Sequence, residues 1–259
     1  MIQCIKYFFK NINNIVRYKI IIEYKGIGYY GWQKQKEIKP TIQETVEKAL
    51  GFLFNEPIVL FVAGRTDASV HALHQVAHFD SNKEYSVNTV KNATNFYLKN
   101  SNIVCLNVNI VSSDFHARFS VKQKSYVYYL FNRKDRMTIY KDLAWHVSST
   151  LDMERMRKEL SFFEGYHDFT SFCSLECDKQ NKNRTIDFTS LNVYDNQIFI
   201  RFYAKSFLHN QIRIMVGTLV DISLNRLNDS IENILKYKDR RKAGVTAPAH
   251  GLYLENIKY

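Results

Sequence analysis

The sequence predicts an α+β protein made of two similar halves. Three observations predict it: strand-like stretches alternate between apolar and polar residues, helical stretches begin at capping residues, and the order β-α-β-β-α-β occurs twice along the chain. The 259 residues exceed what one hydrophobic core usually holds, and 46% of them are hydrophobic, which is typical of a folded globular protein. We therefore expect two folded units.

The first half, residues 15–114, is predicted to hold four strands and two helices. Alternation or a continuous apolar run marks the strands VRYKIIIEY (16–24), IVLFVAG (58–64), HQVAHFD (74–80) and IVCLNVNIV (103–111). The second of these runs indicates a buried strand. The last presents one apolar face, formed by Val104, Leu106, Val108 and Ile110. Thr41 starts the first helix, since Thr41 and Glu44 form a T-x-x-E capping box, and Ser86 starts the second.

The second half, residues 115–259, repeats this order. Its predicted strands are KSYVYYLF (124–131), TIDFTSLNVY (185–194), QIFIRFYAKS (197–206) and GLYLENIKY (251–259). Asp195 and Asn196 form a two-residue hairpin turn between the second and third of them. Asp152 starts a helix that Gly165 ends, and a long apolar helix over 207–222 precedes a shorter one near 231–237.

Two copies of β-α-β-β-α-β predict two ferredoxin-like halves. Each half would pack its helices on one face of an antiparallel sheet and leave the other face free to line a central cleft. The boundary falls near Ser112 to Phe119, which gives domains 15–114 and 115–259. Residues 1–14 contain no sustained apolar run and no small-residue cleavage site, so they are interpreted as a frayed N-terminal extension.

The charge and the cysteines limit the class of partner and the compartment. A formal net charge of +11 favours a polyanion, nucleic acid before membrane, although biased codon usage would also enrich lysine. The four cysteines show no disulfide framework for a chain of this length, which fits a reducing cytoplasm. Because no apolar run approaches the ~18 residues of a membrane span, we expect no membrane insertion.

The stretch AGRTDASVHALHQVAHFD (63–80) carries the candidate chemistry. Its histidines have the spacing H-x2-H-x3-H, which could serve a zinc ion if all three lay on one helix. His78 belongs to an alternating strand, so we expect no metal site here. Asp67 follows a strand and opens a turn, a common position for a catalytic group. A local Arg65–Asp67 pair or an Asx turn explains the same residues equally well.

Seven blocks decide between these readings, because they resemble the TruA family of tRNA pseudouridine synthases in sequence and in order. They are YKGIGYYGWQKQ, TIQETVEKAL, GRTDASVHALHQVAHF, FHARFSVKQKSYVYYL, GYHDFTSFC, SFLHNQIRIMVGTL and RRKAGVTAPAHGLYLENIKY. The resemblance runs from about Tyr18 to the C-terminus. It implies an isomerase that converts uridine to pseudouridine in the anticodon stem-loop of tRNA, at positions 38, 39 and 40, with an RNA-binding cleft.

The resemblance also implies the chemistry and its catalytic residues. The N1–C1′ bond breaks, the uracil turns, and C5 bonds to C1′ without net oxidation, so no cofactor is required. Asp67 matches the catalytic aspartate, which attacks C1′ or takes a sugar proton, and both routes stay open. Arg213 matches the arginine that pairs with it and would keep it ionised. Tyr126 matches the active-site tyrosine, which stacks on the uracil and could help remove its C5 proton.

Basic residues are predicted to hold the tRNA. Arg65 matches the family's arginine beside the aspartate and would fill the space left by the flipped base. The interval 118–136 is the densest basic stretch, and we expect phosphate contacts from Arg118, Lys122 and Lys124, with Lys242 adding to them. Any one of these cations could instead be solvated.

Two other functions remain open from the sequence. The chain could be a non-catalytic tRNA-binding protein that kept the fold, or a metal-dependent RNA hydrolase built on the histidines. The family forms homodimers in which one tRNA touches both subunits, so we expect a homodimer. Ser69 stands where the family usually has glycine, and it would be strained if that position needs a positive φ.

Overall fold

The computed structural model describes residues 15–35, 39–177 and 179–259, so the predicted N-terminal extension, residues 1–14, lies outside the described residues. The described strands are β1 (Val16–Tyr24), β2 (Phe61–Val62), β3 (His71–Ser81), β4 (Ile103–Val111), β5 (Gln123–Asn132), β6 (Trp145–Val147), β7 (Gly165–Asp168), β8 (Asn183–Tyr194), β9 (Gln197–Ala204) and β10 (Leu252–Lys258). The described α-helices are α1 (Ile42–Phe54), α2 (Val87–Leu98), α3 (Met153–Ser161), α4 (Gln211–Ser223) and α5 (Ile231–Tyr237).

Each half has the strand order of a ferredoxin-like unit. In the first half the order is β4-β1-β3, with β2 paired to β3, and in the second half it is β10-β5-β9-β8. All of these neighbouring strands run antiparallel. The predicted α+β class and the antiparallel pairing within each half are therefore confirmed. The short strands β6 and β7 are additions to the second half that the sequence did not indicate.

The two halves form one continuous sheet, because β10 pairs in parallel with β3. Tyr253 lies opposite His71, whereas β2 pairs with the far end of β3, where Phe61 lies opposite His78. The two-residue length of β2 leaves the His71 end of β3 free for β10. Two separate sheets were expected, since periodicity shows which residues face a core and not which strand edges meet.

Three helices begin where the sequence predicts, because their capping side chains are in place, whereas the helix predicted over 207–222 begins only at Gln211. Thr41 Oγ1 accepts a hydrogen bond from the Glu44 amide at 3.3 Å, and Ser86 Oγ accepts one from the Thr89 amide at 3.1 Å. Asp152 caps α3 in the same way. The turn at Asp195, with φ of 52°, joins β8 to β9 as predicted. No helix in the described ranges is long and apolar enough to cross a membrane.

Two of the strand predictions are wrong. The run 58–64 is not a buried strand: only Phe61–Val62 pairs, and the Leu60 amide instead donates to Glu47 Oε1 of α1 at 3.0 Å. In β4 the buried residues are Ile103, Cys105 and Val108, whereas Leu106 and Ile110 are exposed. The reason is a bulge, because Ile21 pairs with Asn107 and Ile22 with Cys105, which skips Leu106 and changes the inward face.

Candidate active site

Asp67 lies in a tight turn between β2 and β3. The Val70 amide donates to the Asp67 carbonyl at 3.2 Å, and the Trp32 amide donates to the Thr66 carbonyl at 3.0 Å, which fixes the turn from both ends. The Asp67 side chain is 35% exposed, so its carboxylate is open to a substrate. The turn therefore holds its backbone rigidly and presents one acid.

The glycines of the block YKGIGYYGWQKQ explain why this turn packs so closely against the chain after β1. A Cβ atom on Gly31 would lie 2.7 Å from the Thr66 carbonyl oxygen, and one on Gly26 would lie 2.1 Å from the Val70 carbonyl oxygen. Real Cβ atoms do not approach oxygen this closely, so only glycine fits at either position. The segment after β1 is thus a cradle for the Asp67 turn.

A buried hydrogen-bond network ties the same turn to the core. The Tyr24 and Thr66 hydroxyl groups lie 2.8 Å apart, and Gln75 Nε2 donates to the Gly64 carbonyl at 2.9 Å and to the Tyr24 hydroxyl at 3.3 Å. Buried polar groups are costly unless they are paired, and these pair with one another. Residues from β1 and β3 therefore hold both sides of the turn that carries Asp67.

Ser69 has the left-handed backbone that glycine would adopt without strain, with φ of 65°. An L-residue in this region costs about 1–2 kcal/mol, which exceeds the entropy that glycine loses on folding. We expect Ser69→Gly to raise the free energy of unfolding by about 0.5–1 kcal/mol, measured by urea denaturation. Ser148→Gly is the control, because Ser148 is exposed and has no positive φ, so it should be neutral or destabilising. Equal shifts in the two variants would contradict this account.

Arg213 is the residue of α4 that is not buried, and it faces Asp67. Its Nη1 atom lies 3.7 Å from Asp67 Oδ2. Its Nε atom donates to the Ala247 carbonyl at 2.8 Å, and Nη1 donates to Asn210 Oδ1 at 2.7 Å. The guanidinium is thus fixed on two sides before substrate binds, and it presents a positive charge to the Asp67 carboxylate.

The block AGVTAPAHG lies along α4 and completes the support of Arg213. A Cβ atom on Gly217 would lie 1.9 Å from the Val245 carbonyl oxygen, so glycine allows this close contact. The Ala247 amide donates to the Arg213 carbonyl at 3.0 Å, and the Gly244 amide donates to Thr218 Oγ1 at 2.9 Å. The segment before β10 therefore sets the position of the arginine.

Tyr126 lies in the buried face of β5, close to the carboxylate. Its residue is 8% exposed, and its ring packs edge-on against Phe207 at 5.2 Å. Burial raises the pKa of the Tyr126 phenol well above its ordinary value, and Tyr24 and the charge of Asp67 add to the rise. The phenol is therefore protonated at neutral pH. It offers a ring face and a hydrogen bond rather than a phenolate.

His209 belongs to the site although the sequence did not single it out. Its Nε2 atom lies 3.5 Å from Asp67 Oδ1, so a protonated ring would be a second cation on the carboxylate. It precedes Arg213 by four residues, a spacing that places residues on one face of a helix. The helix begins only at Gln211, however, and Asn210 has a left-handed φ of 58°, so helical spacing alone could not have located His209.

The predicted phosphate-binding residues differ in their placement. Arg65 is exposed in the turn that carries Asp67, and Arg118 and Lys122 are exposed in the loop before β5. Lys124 instead points inward, since its Nζ atom donates to the Ala63 carbonyl at 2.6 Å. Burial and, to a smaller extent, the charge of Arg118 lower the pKa of the Lys124 ammonium to about 8. Its contact with phosphate stays a prediction; the structure shows it supporting the segment that leads to Asp67.

Lys242 is exposed next to α5, and its Nζ atom lies 5.5 Å from the centre of the Tyr237 ring. The neighbouring Gly244 contacts α4 at Thr218, whereas Arg213 is in the first turn of that helix. The role of Lys242 toward phosphate stays a prediction.

The three histidines of the stretch 63–80 all lie on β3, whereas the alternation predicted a strand only over 74–80. His71 Nδ1 accepts a hydrogen bond from the Gly26 amide at 3.1 Å, and His78 Nδ1 accepts one from the Ala117 amide at 3.1 Å. These contacts use the two rings to fix loops. In the part of the chain that the structure describes, no group of three histidine, cysteine or acidic side chains is placed to hold a metal ion.

Comparison with known proteins identifies the family. A family model described as tRNA pseudouridine synthase matches residues 161–259. The tRNA pseudouridine synthase A of Wolbachia pipientis wMel is 46% identical over 245 residues, which cover 94% of this chain and 100% of that protein. The enzyme of the same name from Ehrlichia canis (strain Jake) is 44% identical with the same coverage.

Weaker similarities extend to a further relative and to one solved structure. The tRNA pseudouridine synthase A of Anaplasma phagocytophilum (strain HZ) is 39% identical over 246 residues, which cover 94% of this chain and 100% of that protein. A crystal structure of a Cbf5–Nop10–Gar1 complex aligns with 78% of this chain and 53% of that chain at 10% identity, and its TM-score of 0.34 is too low to support an argument. Because relatives with 39% to 46% identity match along their full length, the chain belongs to the tRNA pseudouridine synthase A family.

Proposed function

We propose that this tRNA pseudouridine synthase acts on the anticodon stem-loop of tRNA, at uridines 38, 39 and 40, with Asp67 as the catalytic carboxylate. The observation that supports the proposal best is the partly exposed Asp67 carboxylate, 3.7 Å from a guanidinium that is fixed by two further hydrogen bonds. Such a pair holds a fixed positive charge beside the reacting acid, in a site from which RNA would exclude water. The chemistry itself then needs only the substrate and these side chains.

Asp67 has two routes to the same product. As a nucleophile it would bond to C1′ while the N1–C1′ bond breaks, and the ester would be displaced when C5 attacks C1′. As a base it would take a sugar proton while uracil leaves and return it afterwards. Both routes require the carboxylate of Asp67 at the C1′ carbon, and Arg213 lies beside that carboxylate.

Tyr126 and Arg65 would act on the base. The neutral Tyr126 ring, which packs edge-on against Phe207, would stack on a flipped uracil while the base turns. Arg65 is exposed two residues before Asp67, so its guanidinium can occupy the space that the base leaves in the stack. Arg118, Lys122, Lys124 and Lys242 are proposed to contact the tRNA backbone.

A homodimer in the cytoplasm completes the proposal. A cavity of about 710 Å³ lies at the sheet junction between the halves, lined by residues of β3, β5, β9 and β10 that include Leu73, Ser125 and Tyr203. A concave sheet surface of this kind is available for a second subunit. The thiols of Cys105, Cys173 and Cys177 are unpaired, which fits a reducing compartment.

The proposal is tested by mapping pseudouridine in an unmodified tRNA with uridine at 38, 39 and 40. Purified protein in chelator, without added cofactor, should produce carbodiimide-dependent reverse-transcription stops at these positions. The same tRNA with cytidine at all three should give none. Product only outside the anticodon stem-loop would overturn the proposal. Binding without product would favour the non-catalytic tRNA-binding alternative, and activity lost in chelator would favour the metal-dependent hydrolase.

A further inference from the structure

The loop that precedes β5 exposes an aromatic side chain with no role in the chemistry above. Phe119 is 74% exposed, and Phe61, on the edge strand β2, is 46% exposed. Large apolar side chains this exposed lose the benefit of burial, so an exposed aromatic group beside a functional site suggests a contact surface. His116 lies between the two phenylalanines and joins them into one surface.

The loop is rigid although its side chains project into solvent. The His116 amide donates to Ser120 Oγ at 3.0 Å, and the Ser120 amide donates to the His116 carbonyl at 2.9 Å. From beneath, the Ala117 amide donates to His78 Nδ1 at 3.1 Å, and the Tyr259 hydroxyl donates to the Ala117 carbonyl at 2.7 Å. Arg118 and Phe119 are therefore displayed on a preorganised turn, which lowers the entropic cost of binding.

The aromatic rings of this surface form a short row, and a guanidinium lies beside one of them. The His116 ring centre lies 4.3 Å from that of Phe119 and 5.8 Å from that of Phe61. Burial lowers the pKa of the His116 ring, as do the charges of Arg17 and Arg118, so the ring is neutral at pH 7. The Arg118 guanidinium lies 5.8 Å from the Phe119 ring centre, and within the described residues no carboxylate pairs with it. Neutral rings beside a free cation suit a nucleotide's base and phosphate.

This surface includes the start of the chain segment that leads to the Asp67 turn. Phe61 begins the segment that runs through Ala63 to Asp67. The Ala63 carbonyl accepts from Lys124, and the charge of Arg118 is near enough to lower the pKa of that ammonium.

We propose that Phe61, His116, Arg118 and Phe119, the aromatic turn, form a stacking site for an unpaired nucleotide of the RNA substrate. The proposal rests on the proposed function above and adds the surface that holds an unpaired base. Stacking of one base on an aromatic side chain changes affinity by a factor of roughly 5 to 100. The base would lie against Phe119 while Arg118 contacts its phosphate.

Phe119→Ala tests the proposal, and its exposure means that the fold should survive. We expect its Kd for an anticodon-arm RNA to rise by about 5-fold or more, with a matching rise in KM and a much smaller change in the single-turnover rate at saturating RNA. Phe119→Trp should restore binding. Phe96→Ala is the matched control, because Phe96 is 61% exposed with Lys99 Nζ 4.7 Å from its ring centre, and it should behave as wild type.

Photo-crosslinking locates the contact. With p-benzoylphenylalanine in place of Phe119, crosslinks should map to an unpaired nucleotide of the anticodon loop, whereas the same group in place of Phe96 should give none. Wild-type affinity in Phe119→Ala, or crosslinks confined to paired nucleotides, would overturn the stacking site. These outcomes test the stacking site provided that the wild-type protein forms pseudouridine. Failure of the wild type to do so would count against the proposed function instead.

Discussion

Asp67→Asn is expected to abolish pseudouridine formation and to leave tRNA binding within about two-fold of wild type. The amide has the shape of the carboxylate, so the turn and its backbone hydrogen bonds should remain. An amide neither attacks C1′ nor takes a sugar proton at neutral pH, so we expect a loss of at least about 10³-fold in the single-turnover rate. Quenched-flow assays with a uridine-containing anticodon arm measure the rate, and fluorescence anisotropy measures binding.

Asp80→Asn is the matched control for this variant. Asp80 has the same side-chain exposure as Asp67, 35%, and pairs with Arg17 at 2.7 Å, away from Arg213. Its loss should leave the single-turnover rate unchanged. Normal turnover in Asp67→Asn, or an equal loss in both variants, would show that the carboxylate of Asp67 is not the reacting group.

Arg213→Lys is expected to lower the single-turnover rate by about 10²- to 10³-fold, which corresponds to roughly 3–4 kcal/mol. Lysine keeps the positive charge, but one ammonium cannot reproduce the planar contacts of Arg213 with Ala247, Asn210 and Asp67. The charge that remains would sit in a different place relative to the carboxylate. Circular dichroism and urea denaturation separate a folded, slow enzyme from an unfolded one.

Arg201→Lys provides the comparison, since Arg201 also pairs with a carboxylate, Glu255, at 2.9 Å and has a side chain that is 26% exposed. It should lose little activity because its pair faces the other side of the sheet. A rate in Arg213→Lys close to that of Arg201→Lys would mean that a positive charge alone suffices and that the geometry of the guanidinium is unimportant.

Local signals in the sequence predicted most of the secondary structure. Thr41, Ser86 and Asp152 start their helices as predicted, because a cap depends on hydrogen bonds within one turn. The strand prediction for the apolar run 58–64 and the predicted inward face of β4 were wrong. In both cases a partner strand decides the outcome: β3 accepts only two residues of β2, and β1 pairs with β4 through a bulge.

In the candidate site, too, some residues were predicted from the sequence and others depend on packing. Asp67, Tyr126 and Arg213 were found because each lies in a block whose residue types and order are distinctive. His209 was missed, and the inward direction of Lys124 was not foreseen, because both depend on contacts between residues far apart in the chain. The prediction that position 69 carries strain if it needs a positive φ is matched by its φ of 65°.

The sequence by itself determined the α+β class, the repeated element order, the family and the chemical groups of the site. It could do so because these depend on residue type, on spacing within one element and on the order of blocks. Only the tertiary structure decided that β3 and β10 join the halves into one sheet, that the Ala247 carbonyl fixes Arg213, and that His209 lies beside Asp67. Strand edges and side-chain directions are set by packing between distant segments, which periodicity along one segment does not encode.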